Sequence, residues 1–231
     1  MSTPFRRVAS AVSRAGIAAL AVGAVAAVAA VLSTPACTGR REAANTPPPP
    51  DSMPVVVLET SMGRIVMQLD RNRAPRTVDN ILLHLGVNFY DGLIFHRVLR
   101  DFVVQTGMMT PDGMVRTSNA PPVAIESENG LRNVRGSVGL ARGDDPNSGG
   151  VQFYFSVRDN PRLNFIARER GRWGYTVFGR VTEGMDVVDR ISRVRTATVN
   201  GEEGMPLQPI VVTRAYLAVP GAPGSPVPAR Q

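Results

Sequence analysis

The sequence predicts a mainly β fold in which two helices accompany a series of short strands. Three observations carry that reading. Short strand-like apolar runs recur from residue 55 to residue 217, with Gly and Pro between them. Only two segments show the spacing of an amphipathic helix. The single cysteine, Cys37, excludes an internal disulfide, so the fold must stand on its hydrophobic core, for which an apolar share of 43% is sufficient. The pattern fits a closed antiparallel barrel or a two-sheet sandwich, and periodicity does not choose between them.

Taken in order, Val55–Glu59 and Arg64–Leu69 read as strands joined through Thr60-Ser61-Met62-Gly63, which makes a hairpin. The first helix comes next. Thr77 stands as its N-cap after Pro75, Val78, Ile81, Leu82 and Leu85 fall at helical spacing, and Gly86 ends it. His84 lies at a polar position of this helix and reads as solvated. Further strands are expected at Leu93–Val98, Phe102–Gln105, Ser137–Ala141, Gln152–Val157 and Thr176–Val181. Glu183–Val194, with Met185, Val188 and Ile191 apolar, reads as the second helix, and Pro209–Leu217 as the last strand.

Outside 55–217 the composition changes. Arg6, Arg7 and Arg14 form a positive segment, and Ala15 to Leu32 is an uncharged run of small and aliphatic residues. Residues 1–36 therefore read as a signal peptide or a membrane anchor. Cleavage after Ala36, acylation of Cys37 as a bacterial lipoprotein, and an uncleaved anchor are the three versions, and each exports the domain attached to it. Residues 37–54 contain Pro47 to Pro50, a polyproline II spacer. Residues 218–231, where Gly, Pro and Ser interleave, read as a disordered tail.

Formal net charge is +7, and every cation is Arg. Part of that excess belongs to the leader, and the rest is spread among Asp and Glu. This is too mild and too even for nucleic-acid binding. Two distant histidines and one cysteine do not build a zinc site. No Gly-x-Ser-x-Gly elbow supports a hydrolase. Neither a metal nor a cofactor is implied.

The run from Phe95 to Gly107 sets Arg97 and Gln105 among Phe, Val and Leu. A guanidinium cannot be neutralised in a protein, so burying it demands a dedicated partner or a use. Two further blocks accompany it. Ala141-Arg142-Gly143-Asp144-Asp145-Pro146-Asn147-Ser148 runs into Gln152-Phe153-Tyr154-Phe155, and Tyr175 to Val181 precedes Gly184-Met185-Asp186-Val187-Val188. Glu128 to Asn133 lies between the first two.

In order and spacing these blocks resemble the cyclophilin-type peptidyl-prolyl cis-trans isomerases, with Glu128–Asn133 similar to the bacterial branch. The resemblance implies a closed eight-stranded antiparallel β-barrel capped by two α-helices, and catalysis of rotation about the bond preceding proline. That rotation breaks no covalent bond and has a barrier of ~18–20 kcal/mol. The resemblance makes Arg97 the donor to the proline nitrogen, Gln105 the holder of the substrate carbonyl and the group that orients Arg97, and Phe102, Val103, Tyr154 and Leu163 the proline pocket. Ala141, Arg142 and Gln152 would line the groove for flanking backbone, and Tyr175 would stand where many relatives carry histidine. Val151 and Thr106 depart from the usual residues without altering charge or the Arg97–Gln105 spacing. His96 reads as a packing and hydrogen-bonding residue.

The implied partners are unfolded or extended proline-containing polypeptides, and a membrane through the N-terminal lipid or anchor. The competing reading is a non-catalytic barrel that holds proline segments as a chaperone, and retention of Arg97, Phe102 and Gln105 speaks against it. A cell-envelope structural protein ranks below both, because it ignores the barrel motifs.

Overall fold

A computed structural model describes residues 53–218. The expected leader, Cys37, most of the proline-rich spacer and nearly all of the tail lie outside these residues. No helix among the described residues is long and apolar enough to cross a membrane.

The first hairpin forms as its sequence dictates: β1 (Val55–Thr60) pairs with β2 (Gly63–Leu69) around Ser61-Met62. Helix α1 (Pro75–Gly86) comes next, then β3 (Arg97–Val98), β4 (Val103–Thr106), β5 (Ser137–Leu140) and β6 (Phe153–Ser156). After a 3-10 turn at Pro161–Leu163 come β7 (Val177–Glu183), α2 (Met185–Ser192), β8 (Thr196–Val199), β9 (Glu202–Pro206) and β10 (Val212–Leu217). Eight strands form one sheet in the order β10-β1-β2-β7-β5-β6-β4-β3, antiparallel at every junction.

The sheet curls into a half-barrel, which corrects the expectation of closure: among the described residues no ladder joins β3 to β10. The expected strand Leu93–Val98 shrinks to the two residues of β3. Residues 92–95 divide their backbone bonds among Val212, Ile210, Met109 and Tyr90, so no continuous ladder develops along the seam. A single bridge, Ile94 to Val211, spans it.

Alternation along the strands sends one set of side chains inward. Val56, Leu58, Ile65, Met67, Val104, Val138, Phe153, Phe155 and Phe178 meet there, joined by Val78, Ile81 and Leu85 of α1 and Val187, Val188 and Ile191 of α2. Phe153 is the hub, with edge-on contacts to Tyr90, Phe155 and Phe178 at centroid distances of 5.4, 5.7 and 6.4 Å.

Two helix starts differ from expectation. Thr77 is not the N-cap of α1. Ala74 holds that position with no side-chain bond, and Pro75 begins the helix, where its missing N–H costs nothing. The free N–H groups find Glu126 instead: Oε1 accepts from Arg76 N at 3.1 Å, and Oε2 accepts from Thr77 N at 2.9 Å and Thr77 Oγ1 at 2.7 Å. Helix α2 begins at Met185 rather than Glu183, which ends β7. Its N-cap Gly184 has φ +84°, and a Cβ there would fall 2.2 Å from Arg64 O, so only glycine lets α2 leave β7 at this angle.

The hairpin β8–β9 adds to the expected strands. Its turn, Asn200-Gly201, has φ +52° and +85°, the type I′ geometry that Asn-Gly favours. Gly204 of β9 sits so close to β3 that a Cβ would lie 2.8 Å from Val98 O.

Candidate active site

The outward face of the sheet carries the residues singled out in the sequence. Arg97 of β3 pairs with Gln105 of β4, Gln105 with Tyr154 of β6, and Tyr154 with Gly139 of β5. One row thus crosses four strands, and Val103 stands on the same face two residues from Gln105. The inward neighbours Val98, Val104, Phe153 and Phe155 are core, and this anchors the row by register. Gly139 is required by the row: a Cβ there would lie 2.3 Å from the Tyr154 ring.

Arg97 is half-buried, and its side chain makes no hydrogen bond or ion pair among the described residues. The expected orientation of Arg97 by Gln105 is therefore absent. Gln105 Nε2 donates to Gln152 Oε1 at 2.9 Å and lies 3.4 Å from His96 Nε2. The amide's nearest acceptor is another amide, which leaves the guanidinium uncommitted. His96 is buried, and burial pushes its pKa down to about 4, with Arg97 adding to the shift and the nearby Gln152 side chain and Ile94 backbone opposing it. It is neutral at neutral pH.

Tyr154 is buried, with a phenol pushed well above its ordinary pKa by desolvation. It stays protonated and donates to Asn133 Oδ1 at 2.6 Å. Asn133, whose role the sequence did not reveal, is the hinge of this wall. Its Nδ2 donates to Leu163 O at 3.0 Å and Asn164 Oδ1 at 3.1 Å, and its backbone N–H donates to Asn164 Oδ1 at 2.7 Å. Leu163 O also accepts from Tyr175 N at 2.9 Å. A second unforeseen residue, Asn160, donates from Nδ2 to Phe102 O at 3.1 Å. These two asparagines tie the Leu163 turn and the Phe102 loop to the row. Both lie in polar loops and matter only through partners distant in sequence.

On the other side, Ala141 N donates to Gln152 O at 2.9 Å, which holds the two groove segments together. The Arg142 guanidinium lies 4.6 Å from the Tyr175 ring centroid and donates to Gly174 O at 3.0 and 2.8 Å. Tyr175 in turn meets Tyr154 edge-on at 6.1 Å. Val103 is almost fully buried, so it backs the face more than it opens onto it. His84, expected to be solvated, is buried, with Nδ1 2.7 Å from Asn80 O and Nε2 2.6 Å from Ser118 Oγ.

The arrangement offers a free cation and an amide beside half-buried apolar groups. It suits polarisation of a bound group without covalent chemistry.

Comparison with known proteins agrees. Residues 55–217 match the family model described as cyclophilin type peptidyl-prolyl cis-trans isomerase/CLD. A peptidyl-prolyl cis-trans isomerase of Streptomyces antibioticus, cyp18, is 47% identical over 165 residues, covering 71% of this chain and 99% of the relative. Peptidyl-prolyl cis-trans isomerase B of Escherichia coli is 38% identical over 158 residues, covering 68% and 96%. A cyclophilin-type isomerase of Cryptosporidium parvum, crystallised in the presence of the dipeptide Ala-Pro, superposes with a TM-score of 0.58 at 19% identity, over 71% of this chain and 99% of that one; that likeness bears on the fold. Sequence and fold together place this chain in the cyclophilin-type peptidyl-prolyl cis-trans isomerase family, as an enzyme that rotates the bond preceding proline.

Proposed function

We propose that this isomerase acts on unfolded or extended polypeptides outside the cytoplasm, with Arg97 as the group that stabilises the twisted amide. The observation that carries the reading is the uncommitted, half-buried guanidinium of Arg97 in register with Gln105 and Tyr154. In a planar X-Pro amide the nitrogen lone pair is delocalised and accepts no hydrogen bond. As the bond twists, resonance is lost and the lone pair returns. A donor aimed at it is worth more at the transition state than in the ground state, which is the condition for catalysis. A guanidinium already paired to a carboxylate would first have to break that pair.

Phe102, Tyr154 and Leu163 form the proline slot in this reading, with Val103 behind it. Gln105 holds the substrate carbonyl, steadied by Gln152. Ala141, Arg142 and Gln152 carry the flanking backbone, with Tyr175 at the far wall. Proline-peptide binding finds support in the neighbour crystallised in the presence of Ala-Pro. Export is supported by the basic segment and apolar run before residue 37 and by the Pro47–Pro50 spacer. Residues 55–217 are then the working domain, behind a leader at 1–36 and a tether at 37–54, and followed by the tail 218–231. A non-catalytic holder of proline segments is disfavoured, because it needs no lone-pair donor.

Arg97→Ala is expected to fold and to lose about tenfold or more in kcat/KM, at least ~1.4 kcal/mol of transition-state stabilisation, in a protease-coupled isomerisation assay. Arg97→Lys should also fail, for want of the planar fork. Activity within about twofold of the parent, with an unchanged circular dichroism spectrum, would remove Arg97 from this role.

A further inference from the structure

Beyond Leu163 the chain runs out into a finger and returns at Tyr175. Its base is closed by Tyr175 N donating to Leu163 O, its middle by Ile166 N donating to Arg172 O at 3.0 Å, and its turn by Arg172 N donating to Glu169 O at 2.9 Å. Gly174, with φ +63°, lets the two limbs touch, since a Cβ there would lie 2.5 Å from Asn164 C. Ser127 Oγ donates to Trp173 O at 2.5 Å and fixes the base to the body of the domain. The tip, Arg168 to Arg172, is exposed. We propose that this finger docks on an anionic lipid surface. The inference goes beyond the Arg97 site and does not depend on it.

Charge is the first observation. Between residues 158 and 173, Arg158, Arg162, Arg168, Arg170 and Arg172 face only Asp159 and Glu169. Those acids are spent: Asp159 Oδ1 accepts from Arg135 N at 2.8 Å, and Glu169 pairs with Arg172 at 2.8 Å. Glu128 is spent as well, paired with Arg168 at 2.7 Å. Arg158, Arg162 and Arg170 stay exposed, and their side chains make no hydrogen bond or ion pair among the described residues. Arg132 is in the same state and borders a cavity of about 340 Å³ beside Phe165. Asn160 N donates to Asn133 O, which brings the segments of Arg158 and Arg132 together.

Apolar surface is the second. Ile166 is 59% exposed, and the partly exposed rings of Phe165 and Trp173 meet beside it with centroids 6.4 Å apart. An aliphatic side chain and an indole ringed by arginines suit the headgroup layer of a membrane. The apolar groups enter below the phosphates, and the guanidinium groups stay among them. The planar fork of arginine matches the phosphate oxygens. An acidic polypeptide would satisfy the arginines and leave Ile166 in water. Where the N-terminal lipid or anchor is kept, docking of the finger is a second, intramolecular contact and needs only modest affinity. Because the finger starts at Leu163, docking would hold the proposed proline slot beside the membrane.

Trp173 is the only tryptophan of the chain, so its fluorescence reports the finger even where the leader binds lipid by itself. The full chain is titrated with vesicles of phosphatidylcholine, and with vesicles that mix phosphatidylcholine and phosphatidylglycerol. On the mixed vesicles Trp173 emission should move to shorter wavelength and be shielded from a water-soluble quencher. On phosphatidylcholine alone it should do neither. Salt at about 0.5 M should reverse most of the change. Arg162→Gln and Arg170→Gln should each weaken the association read from Trp173 by about fivefold. Ile166→Ser should reduce the shielding. The same Trp173 spectrum on both kinds of vesicle, or a shift that persists at high salt, overturns the proposal. So does an equal response to polyglutamate, which would assign the finger to acidic polypeptides. Lipid composition and salt need no variant, so a misfolded variant does not blunt the test. Turnover of a soluble proline peptide reads the Arg97 site separately, whichever way the finger behaves.

Discussion

His96 neighbours the uncommitted cation of the proposed catalytic row, and its burial keeps a second positive charge from forming beside Arg97. That arrangement has a consequence for stability. As pH falls, the imidazole of the unfolded chain takes up a proton near its ordinary value of 6.5, while the folded one resists until about 4. The unfolded state therefore binds more protons through that window. Stability should be fully present above about pH 6.5 and decline from there toward pH 4, by up to roughly 3 kcal/mol from this one group. Urea unfolding between pH 4 and 7.5 measures it, and His96→Gln should flatten that part of the slope. Identical pH dependence in parent and variant would mean that His96 is not what resists protonation.

Among the elements, α1 shows how a helix with poor local capping is completed from elsewhere. Its N-terminus offers Ala74, Pro75 and Arg76, none of which caps with a side chain, and Glu126 supplies the acceptors from a loop 49 positions away from Thr77. A carboxylate at a helix N-terminus gains from both the hydrogen bonds and the dipole. Glu126→Ala should cost roughly 1–2 kcal/mol in denaturant unfolding, and Glu126→Gln less, because one amide oxygen still accepts. The neighbouring backbone N–H of Glu126 donates to Thr176 Oγ1 at 2.9 Å, so the same loop also fastens α1 to the segment leading into β7. A loss below about 0.5 kcal/mol would show that water serves α1 as well as Glu126 does.

At the scale of the whole molecule, the half-barrel presents its working row on the outside and uses its inside for packing. The hairpin β8–β9 lies against β3 through Gly204, so it backs the short strand that carries Arg97. The proposed placement of this domain outside the cytoplasm makes its own prediction. Expressed in a bacterial host, the mature chain should start after residue 36. In the lipoprotein version, mass spectrometry should find Cys37 as a lipid-bearing N-terminus in the membrane fraction, and Cys37→Ser should release the protein or block its processing. A single acyl chain binds a membrane only marginally, so stable retention requires several. A soluble mature protein beginning elsewhere would remove the lipid and keep export, and an intact Met1 in the cytosol would remove both. A tethered isomerase would meet emerging chains while their X-Pro bonds still exchange over tens to hundreds of seconds.

What the sequence determined by itself is whatever repeats along the chain. Short apolar runs between turn residues marked β1, β2, β4, β5, β6 and β7, and helical spacing marked α1 and α2, while the pairing of Arg97 with Gln105 came with the register of β3 on β4. Asn200-Gly201 is likewise a local hairpin signal, carried by two adjacent residues. Only the tertiary structure decided the partners. Gln105 bonds Gln152, 47 positions on, and not the adjacent strand's Arg97. His84 turns inward because Ser118 and the Phe89 and Tyr90 rings meet it there. Asn133 joins Tyr154 to the Leu163 turn. The seam between β3 and β10 stays open because residues 92–95 spread their backbone bonds over four partners, Tyr90, Met109, Ile210 and Val212. Periodicity is a property of neighbouring residues and survives in one dimension, whereas a hydrogen bond between residues far apart in the chain exists only once the sheet has brought them together.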